Sequence, residues 1–173
     1  MKKIMLMCAL LFATFTMYAQ GEKWYVGGTV NFWHDNDEDN TTFTLAPEVG
    51  YNFNEQWSVG GEIAFSHSSP ASIKRNAFWL APYARYTFLR KGIFGLFVDG
   101  GLGFSTSKVK SHDAENGFEI GFKPGFFLQV SDNFRILAKY GFLGYRDDFA
   151  NVGSKSGLVF DTNDLRFGIQ YQF

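Results

Sequence analysis

His67 and Ser69 stand two residues apart, so an extended backbone puts both on one face, where an imidazole could take a proton from a hydroxyl. Such a pair becomes a nucleophilic centre only when a third group orients the histidine. No acid follows on the same face of the next alternating segment, so His67 is expected simply to close a strand. His112-Asp113, in a polar stretch, makes no stronger case. The run Asp35-Asn36-Asp37-Glu38-Asp39-Asn40 spaces its acids like a calcium loop, yet a calcium loop needs glycine at its sixth position and glutamate at its twelfth. Asn40 and Ala46 stand there instead, and a solvated acidic loop is expected. No catalytic residue, cofactor or metal is assigned, and the chain is read as a non-enzyme.

A larger set of charges is spread along the chain: Glu48, Glu62, Arg85, Asp99, Glu119, Lys123, Arg135, Lys139, Asp164 and Arg166. Each occupies the polar phase of a segment whose other phase is apolar, and Gly27, Gly50, Gly60, Gly95, Gly101, Gly121, Gly141 and Gly168 share that phase. If this face turns inward, that many buried charges must pair into a network. One reading is a gated pore in which Glu48, Glu62, Asp99 and Glu119 exchange partners among Arg85, Lys123, Arg135 and Lys139. The other is a plugged interior that specifies register and closure, and a narrow barrel favours it.

The elements that must position these charges show a period of two from Trp24 onward. Eight segments are expected: Trp24 to Trp33, Thr42 to Phe53, Trp57 to His67, Ala77 to Leu89, Ile93 to Thr106, Phe118 to Val130, Phe134 to Arg146 and Asn163 to Phe173. Their connections alternate. Asn54-Glu55-Gln56, Arg90-Lys91-Gly92 and Ser131-Asp132-Asn133 are tight turns, whereas His34 to Thr41, Ser68 to Asn76, Ser107 to Gly117 and Asp147 to Thr162 are long and polar. Pro47, Pro82 and Pro124 recur at one distance from their strand ends, which predicts local bulges or missing ladder bonds.

Eight strands enclose a lumen only wide enough to be filled by side chains, so the apolar aromatic set must face outward. Its members then form two girdles: Trp24, Phe53, Trp57, Phe88, Phe94, Phe134 and Phe173 at one level, and Phe32, Phe43, Phe65, Phe78, Phe104, Phe118 and Phe142 at the other. An apolar exterior calls for lipid, and lipid requires every backbone polar group to be paired around a closed sheet. The expectation is an all-β, eight-stranded, antiparallel, up-and-down transmembrane barrel rather than a soluble sandwich or lipocalin-like barrel. The glycines are expected to make room for the long charged side chains.

The first residues are of another kind. Lys2 and Lys3, the apolar run Ile4 to Phe15 and the ending at Ala19 read as a secretory signal, too short for a transmembrane helix, which needs about twenty apolar residues. Residues 1–19 are therefore expected to be removed, leaving a single barrel domain over 20–173. Cys8, the only cysteine, goes with the signal, so the mature chain has no disulfide. A formal charge of −1 with scattered cations gives no basic stripe, and nucleic acid is excluded as a partner.

The strand ends Ala46-Pro47-Glu48-Val49-Gly50-Tyr51-Asn52-Phe53 and Ala81-Pro82-Tyr83-Ala84-Arg85-Tyr86-Thr87-Phe88, with a signal ending Ala19-Gln20, resemble the outer-membrane β-barrel domain family, of the small OmpX and OmpA type and especially its Bacteroidetes members. The resemblance spans the whole mature chain. It implies a place in the bacterial outer membrane with both mature termini periplasmic. Arg166-Phe167-Gly168-Ile169-Gln170-Tyr171-Gln172-Phe173 is similar to the terminal signal read by the barrel-assembly machinery, with Arg166, Gly168, Tyr171 and Phe173 as its elements.

Lipopolysaccharide is then a neighbour whose phosphates Lys74, Arg75, Lys108 and Lys110 could contact, the other and favoured reading being ordinary solubilising charge. Set against outer-membrane lipid A deacylases, which use a histidine, a serine and an acid near the outer rim, His67 and Ser69 lack the acid. The family hosts many functions, so activity rests on sites. The function expected is a non-enzymatic, envelope-structural or surface-interaction barrel acting through its outer loops. A narrow porin-like channel and a lipid A-modifying enzyme are the alternatives.

Overall fold

Alternating side chains make each strand two-faced, and pairing such strands side by side gathers one kind of face on each side of the sheet. The computed structural model describes residues 23–35, 40–69, 75–109, 114–150, 153–160 and 165–173. Residues 1–19, expected to be a signal, and Asp164 lie outside them. Ten β-segments result: β1 Trp24–Asp35, β2 Asn40–Asn52, β3 Trp57–Ser69, β4 Arg75–Lys91, β5 Phe94–Val109, β6 Glu115–Gln129, β7 Phe134–Lys139, β8 Phe142–Asp147, β9 Lys155–Val159 and β10 Arg166–Gln172. Each of β1 to β5 pairs antiparallel with the next, β6 pairs with both β7 and β8, and β10 bridges β7 and β1. The sheet thus closes as an eight-stranded antiparallel barrel, with β7 and β8 as two halves of one pass and β9 and β10 as two halves of the last.

The apolar phase faces outward. Phe32 is 67% exposed, Phe122 53%, Phe167 55% and Ile63 50%, while Glu48 and Glu62 between them are buried. Apart from Phe142, the girdle residues lie on that outer face, with Trp57 against Tyr86 at 4.7 Å and Phe104 against Phe118 at 5.5 Å between ring centroids. The tight turns are set locally. Asn54 Oδ1 accepts from the backbone of Gln56 and Trp57, at 2.9 and 2.8 Å, and Gly92 takes a φ of +58°.

Four features differ from the sequence expectation. Between Gly125↔Lys139 and Phe122↔Leu143 the seventh pass holds one more residue than β6, a bulge at which Gly141 adopts a φ of +88°. One inserted residue flips everything beyond it, so Phe142 leaves the predicted girdle and enters the lumen, 2% exposed. Arg146 turns inward with it. The bulge lies opposite Pro124, whose carbonyl accepts from Tyr140 N at 3.0 Å. Pro47 and Pro82 act differently: the β2–β3 ladder skips Ala46 and Pro47, and the β4–β5 ladder skips Ala81 and Pro82, both without change of register.

The hairpins also run past the predicted strand ends, with Asp35 paired to Asn40, Ser68 to Arg75 and Ser107 to Glu115. Outside lipid both faces of a strand are polar, and the alternation that marks it in the sequence disappears. The last pass differs likewise. β9 forms inside the stretch expected to be loop, and β10 begins only at Arg166. Finally, β1 pairs with β10 only from Tyr25 to Val30, and just above, Asn31 Nδ2 donates to Leu165 O at 2.6 Å.

Candidate functional site

Charges from six passes meet in the lumen because the closed register brings their inward positions to one level. Arg85 on β4 grips Asp99 on β5 through two parallel bonds, Nε to Oδ1 at 2.6 Å and Nη2 to Oδ2 at 2.9 Å. Lys139 on β7 lies 3.0 Å from Glu48, 3.2 Å from Asp99 and 3.5 Å from Glu62. Arg166 on β10 reaches Glu62 at 3.0 Å. Neutral groups fill the remaining valences: Trp79 Nε1 donates to Glu62, and Tyr83 Oη and Gln170 Nε2 donate to Glu48. Tyr25 and Tyr83 join hydroxyl to hydroxyl at 2.9 Å. Three acids and three bases, each held by several partners, meet the condition under which buried charge is tolerated.

Several glycines make room for aromatic rings, whereas Gly103 makes room for the Glu119 side chain as well as for Phe149. A Cβ on Gly50 would run into the Tyr25 ring, one on Gly60 into the Tyr25 hydroxyl and the Tyr83 ring, one on Gly95 into Phe127, and one on Gly125 into Phe97. Several of these inward rings then carry a cation. Arg85 lies 4.1 Å over Phe97, Arg135 4.6 Å over Phe127, Arg146 3.9 Å over Phe142, and Arg166 5.2 Å over Trp79. Sequence reasoning put the aromatic set outside and missed this inner layer of Tyr25, Trp79, Tyr83, Phe97, Phe127 and Phe142. For Tyr25, Tyr83, Phe97 and Phe127 the signal was a ring opposite an inward glycine in the neighbouring strand, whereas Trp79 and Phe142 have no such partner.

Toward the long-loop end, Glu119 binds Lys123 at 2.5 Å and Arg146 at 3.0 Å. Above it, Phe149 folds back into the barrel against Trp79, ring centroids 5.9 Å apart, in a pocket of Ala46, Ala64, Ala77 and Ala81. Asp148 and Ala150 flank it with φ of 46° and 53°, and Ala150 N donates to Ser105 Oγ at 3.0 Å. The segment expected to be an outer loop thus supplies an apolar stopper. Midway down, the void beside Glu62, Tyr83, Asp99 and Lys139 is about 20 Å³, room for roughly one water.

Below the network a vestibule of about 810 Å³ opens at the short-turn end. Arg135 lines it, donating to Gln129 Oε1 at 2.5 Å. It therefore stands apart from the carboxylates with which it was expected to trade, because its strand position lies nearer the turn than theirs.

On the outer face at the long-loop rim, Ser69 Oγ lies 2.9 Å from His67 Nε2, and His67 Nδ1 lies 2.7 Å from Asn76 Oδ1. The third group sought for the histidine is thus an amide on β4, the neighbouring strand. Arg75 and Lys108 are exposed at the same rim. Lys74, Lys110, His112 and Asp113 lie outside the described residues, as does the acidic tip 36–39. Along β10, Arg166 and Gly168 face the lumen and Tyr171 faces outward, and at the short-turn end Phe173 N donates to Trp24 O at 3.0 Å across the closing seam.

A family model described as outer membrane protein beta-barrel domain matches residues 5–173. No curated protein sequence matches. Among solved structures, the N-terminal β-barrel domain of Pseudomonas aeruginosa OprF is similar, with a TM-score of 0.52 and 15% identity over 88% of this chain and 98% of that one. Neisserial surface protein A gives 0.52 and 12% over 87% and 96%. Ail, the attachment invasion locus protein of Yersinia pestis, solved in complex with the heparin analogue sucrose octasulfate, gives 0.52 and 18% over 87% and 97%.

Proposed function

The chain belongs to the outer membrane protein β-barrel domain family, and from that premise we propose that it works at its surface, bracing the bacterial outer membrane and presenting its long-loop hairpins to lipopolysaccharide or external ligands. The observation that carries this reading is the filled lumen, in which the ion network and the Phe149 stopper leave a void of about 20 Å³ between them. Because the mid-lumen void is so small and the vestibule of about 810 Å³ opens at the short-turn end, the barrel offers outside partners its long-loop rim and its lipid face. Arg75 and Lys108 give the rim exposed cations suited to phosphate-bearing lipid.

In this reading residues 1–19 are removed on export, 20–173 form the barrel, and both mature termini are periplasmic. The assembly machinery reads Arg166, Gly168, Tyr171 and Phe173. Phe173→Ala then slows assembly in cells while leaving refolding into detergent intact.

Exchange of the tips 36–39, 70–74 and 110–113 for Gly-Ser stretches, together with Arg75→Ser and Lys108→Ser, tests the surface role. The barrel should still show its heat-dependent gel mobility while binding to lipopolysaccharide vesicles falls. Unchanged binding in the combined variant would overturn the proposal. In planar bilayers the native barrel should pass no resolvable current, and a steady conductance would contradict the sealed lumen.

A further inference from the structure

Asn76 Oδ1 can only accept a hydrogen bond, so at 2.7 Å it holds the proton of His67 on Nδ1. Nε2 is then left as an acceptor, and Ser69 Oγ lies 2.9 Å from it. A serine, a histidine and a tautomer-fixing group in this order are the parts of an activated nucleophile. Register places them as well as distance does. Phe43, His67, Asn76 and Lys108 form one row across four strands, through the pairs Phe43↔His67, His67↔Asn76 and Asn76↔Lys108. The next outward row toward mid-membrane holds Leu45, Phe65 and Phe78, each 43–48% exposed together with Phe43. The hydroxyl and imidazole therefore sit at the apolar-to-polar boundary of the outer face, with an aromatic shelf on one side and the Lys108 cation on the other.

We propose that Ser69 and His67 are catalytic residues and Asn76 a positioning residue of a site that hydrolyses fatty acyl esters of membrane lipids. This goes beyond the surface role and departs from the expectation of a non-enzyme. Ser69 Oγ bonds to the ester carbonyl carbon as its proton passes to His67 Nε2. The ester C–O bond breaks, and that proton leaves on the alcohol oxygen. Water then gives a proton to His67 while its oxygen displaces Ser69 from the acyl carbon. The fatty acid departs and Ser69 regains its proton. Phe65 and Phe78 lie where the acyl chain would run, and Lys108 where an anionic headgroup would rest. Residue 70 is proline, so the N–H that often follows a nucleophile and helps bind the oxyanion is missing, and turnover should be slow.

The test uses the full mature chain refolded into detergent micelles, with folding of each variant checked by heat-dependent gel mobility. A fluorophosphonate probe should label the native barrel on Ser69, located by peptide mass spectrometry, and should not label Ser69→Ala. Fatty acid release is followed in two arms, from glycerophospholipid vesicles and from lipopolysaccharide. Release in either arm supports the proposal and identifies the lipid. His67→Ala should reduce it by about 100-fold. Asn76→Ala should lower kcat and move the pH profile, and Asn76→Asp should restore both, which a merely structural hydrogen bond would not do. A folded native barrel that is neither labelled nor faster than Ser69→Ala in both arms overturns the proposal and leaves the surface role untouched, since that is read from tip exchange.

Discussion

Lys139 Nζ lies 3.0 Å from Glu48 Oε2, although 91 positions separate the two residues along the chain. The pair forms only when the barrel has closed through β10, because β7 and β2 are not neighbours in the sheet. Two further carboxylates, Glu62 and Asp99, share the same ammonium. Lys139→Met would leave an acid cluster in a dry lumen, with an expected loss of about 3–5 kcal/mol. Urea unfolding of the barrel in lipid measures it. Lys139→Met combined with Glu48→Gln should recover part of that loss, since coupled residues depart from additivity by about 0.5–3 kcal/mol. A single-variant loss under about 1 kcal/mol would show that the network does not hold the lumen together.

Gly61 offers a clean test of the lipid-facing surface, because a Cβ there meets nothing within 4 Å. It stands on the outer face of β3 between Trp57 and Phe65, members of the two girdles. Gly61→Leu should be tolerated. Gly61→Arg should cost about 2–4 kcal/mol in a bilayer. Equal stability of the two variants would contradict a hydrocarbon environment at that depth.

Gly141 carries the bulge that inverts the upper half of the seventh pass. Its φ of +88° disfavours any L side chain, and a Cβ would come within 2.7 Å of the Phe160 ring. Gly141→Ala is expected to destabilise the barrel by about 1–3 kcal/mol. The thermal midpoint of the gel-mobility shift reports it, with Gly61→Ala as the neutral comparison.

Two obstructions stand in series in the lumen, the Phe149 stopper and the ion network beneath it. Phe149→Ala should therefore remain closed in planar bilayers, although truncation of a buried phenylalanine costs about 3–5 kcal/mol where the surroundings do not collapse. Phe149→Ala with Lys139→Ala should pass current. Conductance from Phe149→Ala alone would mean that the network is leaky.

Strands, closure, girdles and the inward set of Glu48, Glu62, Arg85, Asp99 and Lys139 were legible in the sequence because a period of two is local and lipid imposes it along the whole crossing. Phe142 and Arg146 were misread or missed because a single residue at Gly141 reverses the phase, and nothing nearby marks the reversal. Asn76 escaped notice for another reason. A triad calls for an acid, while the group bonded to His67 is an amide whose pairing depends on the register between β3 and β4. The stopper was hidden too, since Phe149 lies in a polar stretch and its pocket comes from four alanines on three other strands.

By itself, the sequence determined that this chain crosses a membrane as a closed sheet, because alternation, glycine and charge on one phase and aromatics on the other admit no other way to satisfy backbone and side chains together. Tertiary structure alone decided which charges meet, which rings turn inward, where the lumen is stopped, and that Ser69, His67 and Asn76 fall into line. Those are contacts between strands, and register, bulge and closure set them through hydrogen bonds that no single segment contains.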